Sequence, residues 1–339
     1  MTKILIPGKL FLAGEYAITN PGNTSLVVAI TTGLAIEITT AREVSTITSN
    51  IITDDLTFNI NQETPEQTDD WRFVRAAVNL MTHYVHTKKI RATLQEVNID
   101  IKSNMNHPTG KIGLGSSAAV VVGIVSAFNN HFKLNLTLLT QFKIAALAHL
   151  HVQKNGSLGD VAAITYGGAI SYQSPNLSQY QTADKNWLQP EIVDVPWKKL
   201  NIVPLSWPQD WQILLGATHE SADTSKALGS KTLPTSFFKE SQHVADDVVQ
   251  SVIKNDYKQF SKGLKLNQTI LRHTLSQKYV TPKLAILLQT LGDTAGKISG
   301  AGFGDNGFAV VNGPTDLPEK WLAAEIEPHY VQIAPQNRG

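Results

Sequence analysis

The sequence predicts an α+β protein folded as two domains. Three observations carry this. The chain of 339 residues is long for one hydrophobic core. Short apolar or alternating runs are mixed with longer helical periodicities, without the regular strand–helix–strand alternation of a parallel sheet. Finally, Ser174 to Trp207 is rich in Pro, Asn, Gln and Trp with little periodicity, and reads as the passage from one folded unit to the next.

The first third reads mostly as strands: Ile4 to Ile6, Leu10 to Ala13, Ser25 to Ile30 and Leu34 to Thr39, separated by Pro, Gly and Asn. Asp69 to Tyr84 is expected to be helical, with Trp71, Val74, Val78 and Met81 spaced by three and four. Val97 to Ile101 alternates like a half-buried strand. Helices follow over Ser117 to Phe132 and Thr137 to Val152, the second with Thr137 as its N-cap. A loop at Asn155 to Gly159 leads to Asp160 and the small apolar run Val161 to Ile164. Gly167 to Tyr172 reads as a turn into a strand. The last third opens on a strand, Trp211 to Gly216. Helices near Leu233 to Ile253, Tyr257 to Leu275 and Thr281 to Asp293 come next, and a strand at Gly307 to Val311 follows a glycine-rich segment.

Composition narrows the partners. Apolar residues make up 42% and charged residues 17% of the chain, an ordinary globular balance. Basic and acidic residues nearly cancel at 29 and 28, so no global field favours nucleic acid or a membrane, and an anionic ligand must be held by local donors. There is no cysteine, which excludes disulfides, thiolate metal sites and a cysteine nucleophile and fits a cytoplasmic location. Met1 to Pro7 breaks at proline and lacks the apolar core of a signal peptide. No apolar run approaches the ~20 residues that span a bilayer.

The segment richest in chemistry is Gly113-Leu114-Gly115-Ser116-Ser117-Ala118-Ala119, which runs into Val120-Val121-Val122. Such a turn presents free backbone N–H groups at the positive end of a helix, a ready site for phosphate. The glycines admit close approach of an anion, and the two serines add hydroxyls for phosphate oxygens or Mg2+. A loop merely capped by serine is the other reading.

Several imitations fall away. Gly113 to Ala118 fits the dinucleotide pattern G-x-G-x-x-A, but no Asp or Glu stands between Gly113 and Asp160 to hold a ribose. Gly302 to Gly307 is followed by a strand-like run rather than a helix. There is no G-x-x-x-x-G-K-[ST]. The pairs His83/His86 and His149/His151 lack a cysteine or a convincing carboxylate partner and read as packed or solvated histidines. Trp187, Trp197, Trp207 and Trp211 have no basic stripe beside them and read as packing.

Three further segments stand beside the Gly–Ser turn: Pro7-Gly8-Lys9-Leu10-Phe11-Leu12-Ala13-Gly14-Glu15-Tyr16, Asn155-Gly156-Ser157-Leu158-Gly159-Asp160-Val161-Ala162, and Lys297-Ile298-Ser299-Gly300-Ala301-Gly302-Phe303-Gly304-Asp305. Taken singly, each is a solvated lysine, a turn aspartate or a hairpin-like loop. Together they resemble the GHMP kinases, named for galactokinase, homoserine kinase, mevalonate kinase and phosphomevalonate kinase. The family's second motif, P-x-x-x-G-L-G-S-S-A-A, is matched from Gly113 to Ala119, with Pro108 one position further upstream than usual. The third, S-G-A-G-x-G-D, is matched from Ser299 to Asp305, with Phe303 where glycine is frequent. Lys9 to Ala17 looks most like the bacterial branch that acts on 5-phosphomevalonate; mevalonate kinases usually carry histidine at the place of Tyr16.

The resemblance implies an N-terminal ATP-binding domain over 1–190, of the ribosomal protein S5 domain 2-like kind, and a ferredoxin-like C-terminal domain over 191–339. It implies transfer of the γ-phosphoryl group of ATP, with Mg2+, to the phosphate of (R)-5-phosphomevalonate. Lys111, Gly113, Leu114, Gly115, Ser116, Ser117 and Ala118 would hold the nucleotide, with Ser117 at the position that commonly binds Mg2+. Lys9 and Asp160 would be catalytic: Lys9 offsets repulsion between two anions, and Asp160 orients Lys9 and the acceptor. Tyr16, Ser157, Ser299, Gly300, Ala301 and Gly302 would meet the substrate beside Lys9 and Asp160. Thr224 and Ser225 would touch substrate or metal, or cap a helix; around them Ala217, His219 and Asp223 depart from the family pattern. Alternatives are another kinase of the family, acting on mevalonate or homoserine, and a non-catalytic binding protein of the same fold. The decarboxylase branch lacks support, since its K-Y-W-G-K-like start is missing. Oligomeric state is not readable.

Overall fold

The structure is a computed structural model that describes residues 1–107, 110–111, 113–220, 233–304 and 306–337. It begins with a long antiparallel ribbon of β1 (Thr2–Ala13) and β2 (Thr24–Thr40), paired from Thr2 opposite Ile38 to Ala13 opposite Leu26. The sequence suggests four short strands here, and the structure has two long ones. The breaks are absorbed as irregularities of register between Pro7 and Gly8 and between Phe11 and Ala13. Pro7 has no N–H for the ladder, and a bulge is where a sheet tolerates that.

The remaining elements of the first unit are β3 (Ser45–Ser49), β4 (Leu56–Phe58), α1 (Arg72–Thr87), β5 (Val97–Ser103), the short pair β6 (Asn106–His107) and β7 (Gly110–Lys111), α2 (Ser116–His131), α3 (Leu138–Gln153), α4 (Gly159–Tyr166), β8 (Ala169–Gln173) and β9 (Asn201–Leu205). The sheet order is β4-β3-β5-β2-β8-β9, with β1 also on β2; only β3 and β5 are parallel neighbours. The helices α2 and α4 lie on β1 and β2, while α1 and α3 pack against α2. Ile36 and Leu12 of the sheet, Ile124 and Phe128 of α2 and Phe142 of α3 are fully buried in this core. As expected, Thr137 caps α3, its side chain accepting from Thr140 N.

The chain leaves the first sheet at Leu205 and enters the second at β10 (Gln212–Ala217). There follow α5 (Thr235–Ile253), α6 (Tyr257–Thr274), α7 (Pro282–Thr290), β11 (Ala295–Ser299), β12 (Asn306–Val311), α8 (Leu317–Ala323) and β13 (Glu327–Val331). This sheet is antiparallel throughout, in the order β11-β12-β10-β13. Both faces of its central strands β10 and β12 are covered, which is why these two read as largely apolar runs. Phe308 and Val310 point into the main core with Phe260, Leu264 and Leu271 of α6. Ala309 and Val311 join Leu287 of α7 and Trp321 of α8 on the other side.

The two units share one continuous core, and α5 lies against β2. After β13 the chain returns to the first unit, where Ala334 N donates to Ala29 O (2.9 Å) and Asn337 N to Tyr166 O (2.8 Å). The α+β class expected from the sequence is the one found.

Candidate active site

Lys9 sits in the second half of β1 and is 8% exposed. It holds the Gly–Ser turn at both of its ends: its backbone N donates to Leu114 O (2.9 Å) and its Nζ to Gly113 O (2.7 Å). Gly115 stands at the N-cap of α2 with φ +87, and a Cβ there would come within 3.0 Å of the Lys9 side chain. Only glycine meets both demands. Ser116, Ser117 and Ala118 form the first turn of α2, whose N–H groups have no acceptor within the helix. The expected turn running into a helix is therefore present. Lys111 lies in β7, at the edge of this turn.

Asp160 belongs to the first turn of α4 rather than to a loop. Gly159 brings that turn against β1 and β8: a Cβ there would stand 2.9 Å from the Phe11 ring and 3.2 Å from the Tyr172 ring. Tyr172 Oη donates to the carbonyl of Ser157 (2.6 Å), fixing the approach to the helix. Burial, and then the charge of Asp160, push the Tyr172 phenol well above its ordinary range. The half-buried Asp160 carboxylate accepts from Val161 N (2.8 Å). Among the described residues no hydrogen bond or ion pair joins Asp160 to Lys9, which is turned onto the Gly113 carbonyl.

The third motif comes in from the second unit. Ser299 ends β11 and its Oγ donates to Phe11 O (3.1 Å), so it meets the strand that carries Lys9. Tyr16 Oη donates to Ala301 O (2.5 Å). Burial first, and then the neighbouring Glu15 charge, raise the Tyr16 phenol, which stays a neutral donor. Gly302 packs flat on Tyr279, and Phe303 N donates to Tyr279 O (3.0 Å). Thr218 Oγ1 donates to the Gly304 carbonyl, and His219 pairs with Glu327 (2.7 Å). Pro108, Ala222, Asp223, Thr224, Ser225 and Asp305 lie outside the described residues.

Two partnerships escape sequence reading. Lys297, fully buried in β11, donates to Glu15 Oε1 (2.5 Å) and to Ile298 O (2.6 Å), joining the first and third motifs. Burial lowers the Lys297 pKa and the Glu15 charge opposes that shift. The available signal was a lysine inside an apolar strand, which needs a partner. The second is Ser117 Oγ with His149 Nε2 (3.2 Å), a histidine that reads in the sequence as packed or solvated.

The fold thus sets a Gly–Ser turn at a helix start over a lysine and ties that lysine's strand to a glycine loop of the second unit, an arrangement able to receive phosphate groups. The match to family models agrees: the GHMP kinases N terminal domain covers residues 72–168 and the GHMP kinases C terminal domain covers 248–325. The chain belongs to the GHMP kinases and is an ATP-dependent phosphotransferase with their two-domain fold. It is 26% identical to a phosphomevalonate kinase of a Streptomyces species, over 95% of this chain and 94% of that one. The Lin0012 protein of Listeria innocua superposes with a TM-score of 0.87 at 26% identity, covering 99% of both chains. Streptococcus pneumoniae phosphomevalonate kinase, solved with phosphomevalonate and AMPPNP, superposes with a TM-score of 0.87 over 98% of this chain and 100% of that one; at 24% identity this is a likeness of fold. No helix among the described residues is long and apolar enough to cross a membrane.

Proposed function

We propose that this kinase transfers the γ-phosphoryl group of ATP to the phosphate of (R)-5-phosphomevalonate. The acceptor oxygen bonds to the γ-phosphorus as the bond to the β,γ-bridging oxygen breaks, giving the diphosphate and ADP. The observation that carries this reading is the end-to-end similarity to a phosphomevalonate kinase. Tyr16, rather than the histidine usual in mevalonate kinases, stands in its first motif, clasped to the third-motif loop.

Phosphoryl transfer has a loose transition state, so the protein's work is to position and to neutralise. Two unit charges about 4 Å apart repel by roughly 4 kcal/mol at an effective dielectric near 20. That is enough to need a fixed cation, and Lys9, buried and held beneath the turn, has the charge and the place for it. Lys111 is a second phosphate contact. The backbone N–H groups of Ser116, Ser117 and Ala118 take the triphosphate, and those of Ser299, Gly300, Ala301 and Gly302 close on phosphates and acceptor. A phosphate ester has a second pKa of about 6 and is largely ionised at neutral pH. Asp160 therefore orients the acceptor more than it removes a proton. The Ser117 hydroxyl is a hard oxygen donor that suits Mg2+, an ion that takes few protein ligands and keeps substrate phosphates and waters. Bound there, Mg2+ would neutralise charge on the phosphates. Thr224 and Ser225 remain proposed acceptor contacts. As for the domains, we draw the passage between Leu205 and Gln212, where the chain changes sheets, instead of at 190.

The test is ADP release measured with phosphomevalonate, mevalonate and homoserine in turn. Turnover is expected with phosphomevalonate; activity with mevalonate and none with phosphomevalonate would overturn the reading. Lys9→Ala and Asp160→Asn should each lower kcat by about 100-fold or more while ATP binding persists. Loss of ATP affinity with turnover preserved would contradict both roles.

A further inference from the structure

The segment after β13 runs back to the first unit. Ile333 bridges to Ile30 of β2, and Ala334 O accepts from Gly168 N (3.1 Å). The segment then meets the far end of α4, the helix whose first turn holds Asp160. The last carbonyls of a helix have no donor within it. Here the donors come from outside. Asn337 Nδ2 donates to Thr165 O (2.8 Å). Tyr166 O accepts from Asn337 N (2.8 Å) and from Gln336 Nε2 (2.9 Å), which also donates to Gly167 O (3.1 Å). The backbone makes room for this contact. Gly167 is the C-cap with φ +67, and a Cβ there would stand 2.2 Å from Pro335 O.

With eight residues, α4 is too short to hold itself by propensity. Val161 to Ile164 are buried and press it onto the core, but apolar contact is non-directional and resists a slide along the helix axis only weakly. Hydrogen bonds at the helix end are directional and fix that axial position. The position matters at the other end, because a misplacement of about 1 Å in a reacting group can cost about 100-fold in rate.

We propose that Gln336 and Asn337 are positioning residues for the phosphoryl transfer: they cap the end of α4 from outside, fix the helix along its axis and so set the Asp160 carboxylate for the acceptor. This rests on Asp160 orienting the acceptor, as proposed above. Because the cap lies on the segment that leaves β13, the second unit reaches the site twice, through the 299–304 loop and through α4.

Two measurements on the full chain test it, and the first needs no activity. Gln336→Glu keeps the shape, removes the N–H donors and sets a negative charge at the negative end of the helix. Amide hydrogen exchange should then quicken in the peptide spanning 159–167 and stay as in wild type over α2. The second is turnover with whichever of phosphomevalonate, mevalonate and homoserine is the acceptor. Gln336→Glu should lower kcat by about ten-fold with KM for ATP unchanged. Gln336→Ala, which adds no charge, should fall between it and wild type. Gln336→Lys, which keeps a donor and suits a helix C-terminus, should stay near wild type. In an Asp160→Asn background, Gln336→Glu should cause no further loss. Unchanged exchange in 159–167, a kcat that holds while exchange quickens, or an equal loss with Asp160 already replaced would overturn the inference. If Asp160→Asn itself turned over like wild type, the role given to Asp160 would fall, and the inference with it.

Discussion

Tyr16 shows how much one side chain is asked to do. It holds a positive φ of 61 at the turn after β1, and its hydroxyl reaches across to Ala301 in the third motif. Tyr16→Phe removes that bond and little else. Stability should fall by about 1 kcal/mol, and KM for the acceptor should rise several-fold while kcat changes less. Because burial keeps the phenol protonated, both effects should be the same at pH 6 and pH 9. Unchanged stability and KM would mean that the contact is idle. Phe303 is the complementary case. It takes φ +63, a conformation easy for glycine, and its ring stands edge-on to Tyr279 at 6.0 Å. The sequence reading flags Phe303 as a departure from the motif, but its packing partner lies outside the motif and cannot be read from it.

Among the elements, those with a strong internal period were legible and those depending on neighbours were not. The helices α1, α5 and α6 follow their apolar spacing closely, whereas α2 and α3 are apolar on most faces and are legible from their length and, for α3, from the Thr137 cap. The sequence reading names none of β3, β4, β9, β11 and β13; of these, β9 and β13 are edge strands that contain a proline, Pro204 and Pro328. Pairing on one side is enough to hold such a strand, and no pattern in its own residues announces it. The start of α1 offers a pH test. Asp69 accepts from Trp71 N (3.1 Å) and pairs with the buried Arg75. The Arg75 hydrogen bond, chiefly, holds the Asp69 carboxyl below the usual carboxylate range. A carboxylate whose folded pKa is depressed adds stability above its unfolded pKa of about 3.9, and loses it as pH falls towards the folded value. Asp69→Asn should therefore lower the urea midpoint near pH 7. The gap from wild type should shrink as pH falls through about 4 and below; a gap that stays constant would exclude the charge as its cause.

Across the whole molecule, the two units are tied where the substrates are expected to meet. Besides Ser299 with Phe11 and Tyr16 with Ala301, Asn23 Nδ2 donates to Phe238 O (2.9 Å) and Thr24 N to Gln242 Oε1 (2.7 Å). The Glu15–Lys297 pair is the most buried of these ties, at 4% and 0% side-chain exposure. Removing one member of such a pair leaves an uncompensated charge and costs about 3–5 kcal/mol, whereas replacing both with neutral groups costs far less. Glu15→Gln and Lys297→Met should each be strongly destabilising in urea, and the double variant should lose much less than their sum. Additive losses would mean that the pair is not coupled.

The Gly–Ser turn, the lysine strand, the aspartate after Gly159 and the 299–305 loop were all readable in the chain, and with them the α+β class and the kinase family. Each is a short contiguous run, and its residue types answer to local demands: a left-handed backbone, a helix start, a hydroxyl within reach of phosphate. What the chain order does not disclose is which of these groups touch. Lys9 closes on Gly113 over a separation of 104 residues and Lys297 finds Glu15 over 282. His149 meets Ser117 only because α3 packs beside α2. Partners of that kind are chosen by burial, which leaves a polar group no acceptor but the one that packing brings to it. The Gly–Ser turn could be recognised from its own residues, but the lysine and histidine that brace it are known only from the fold.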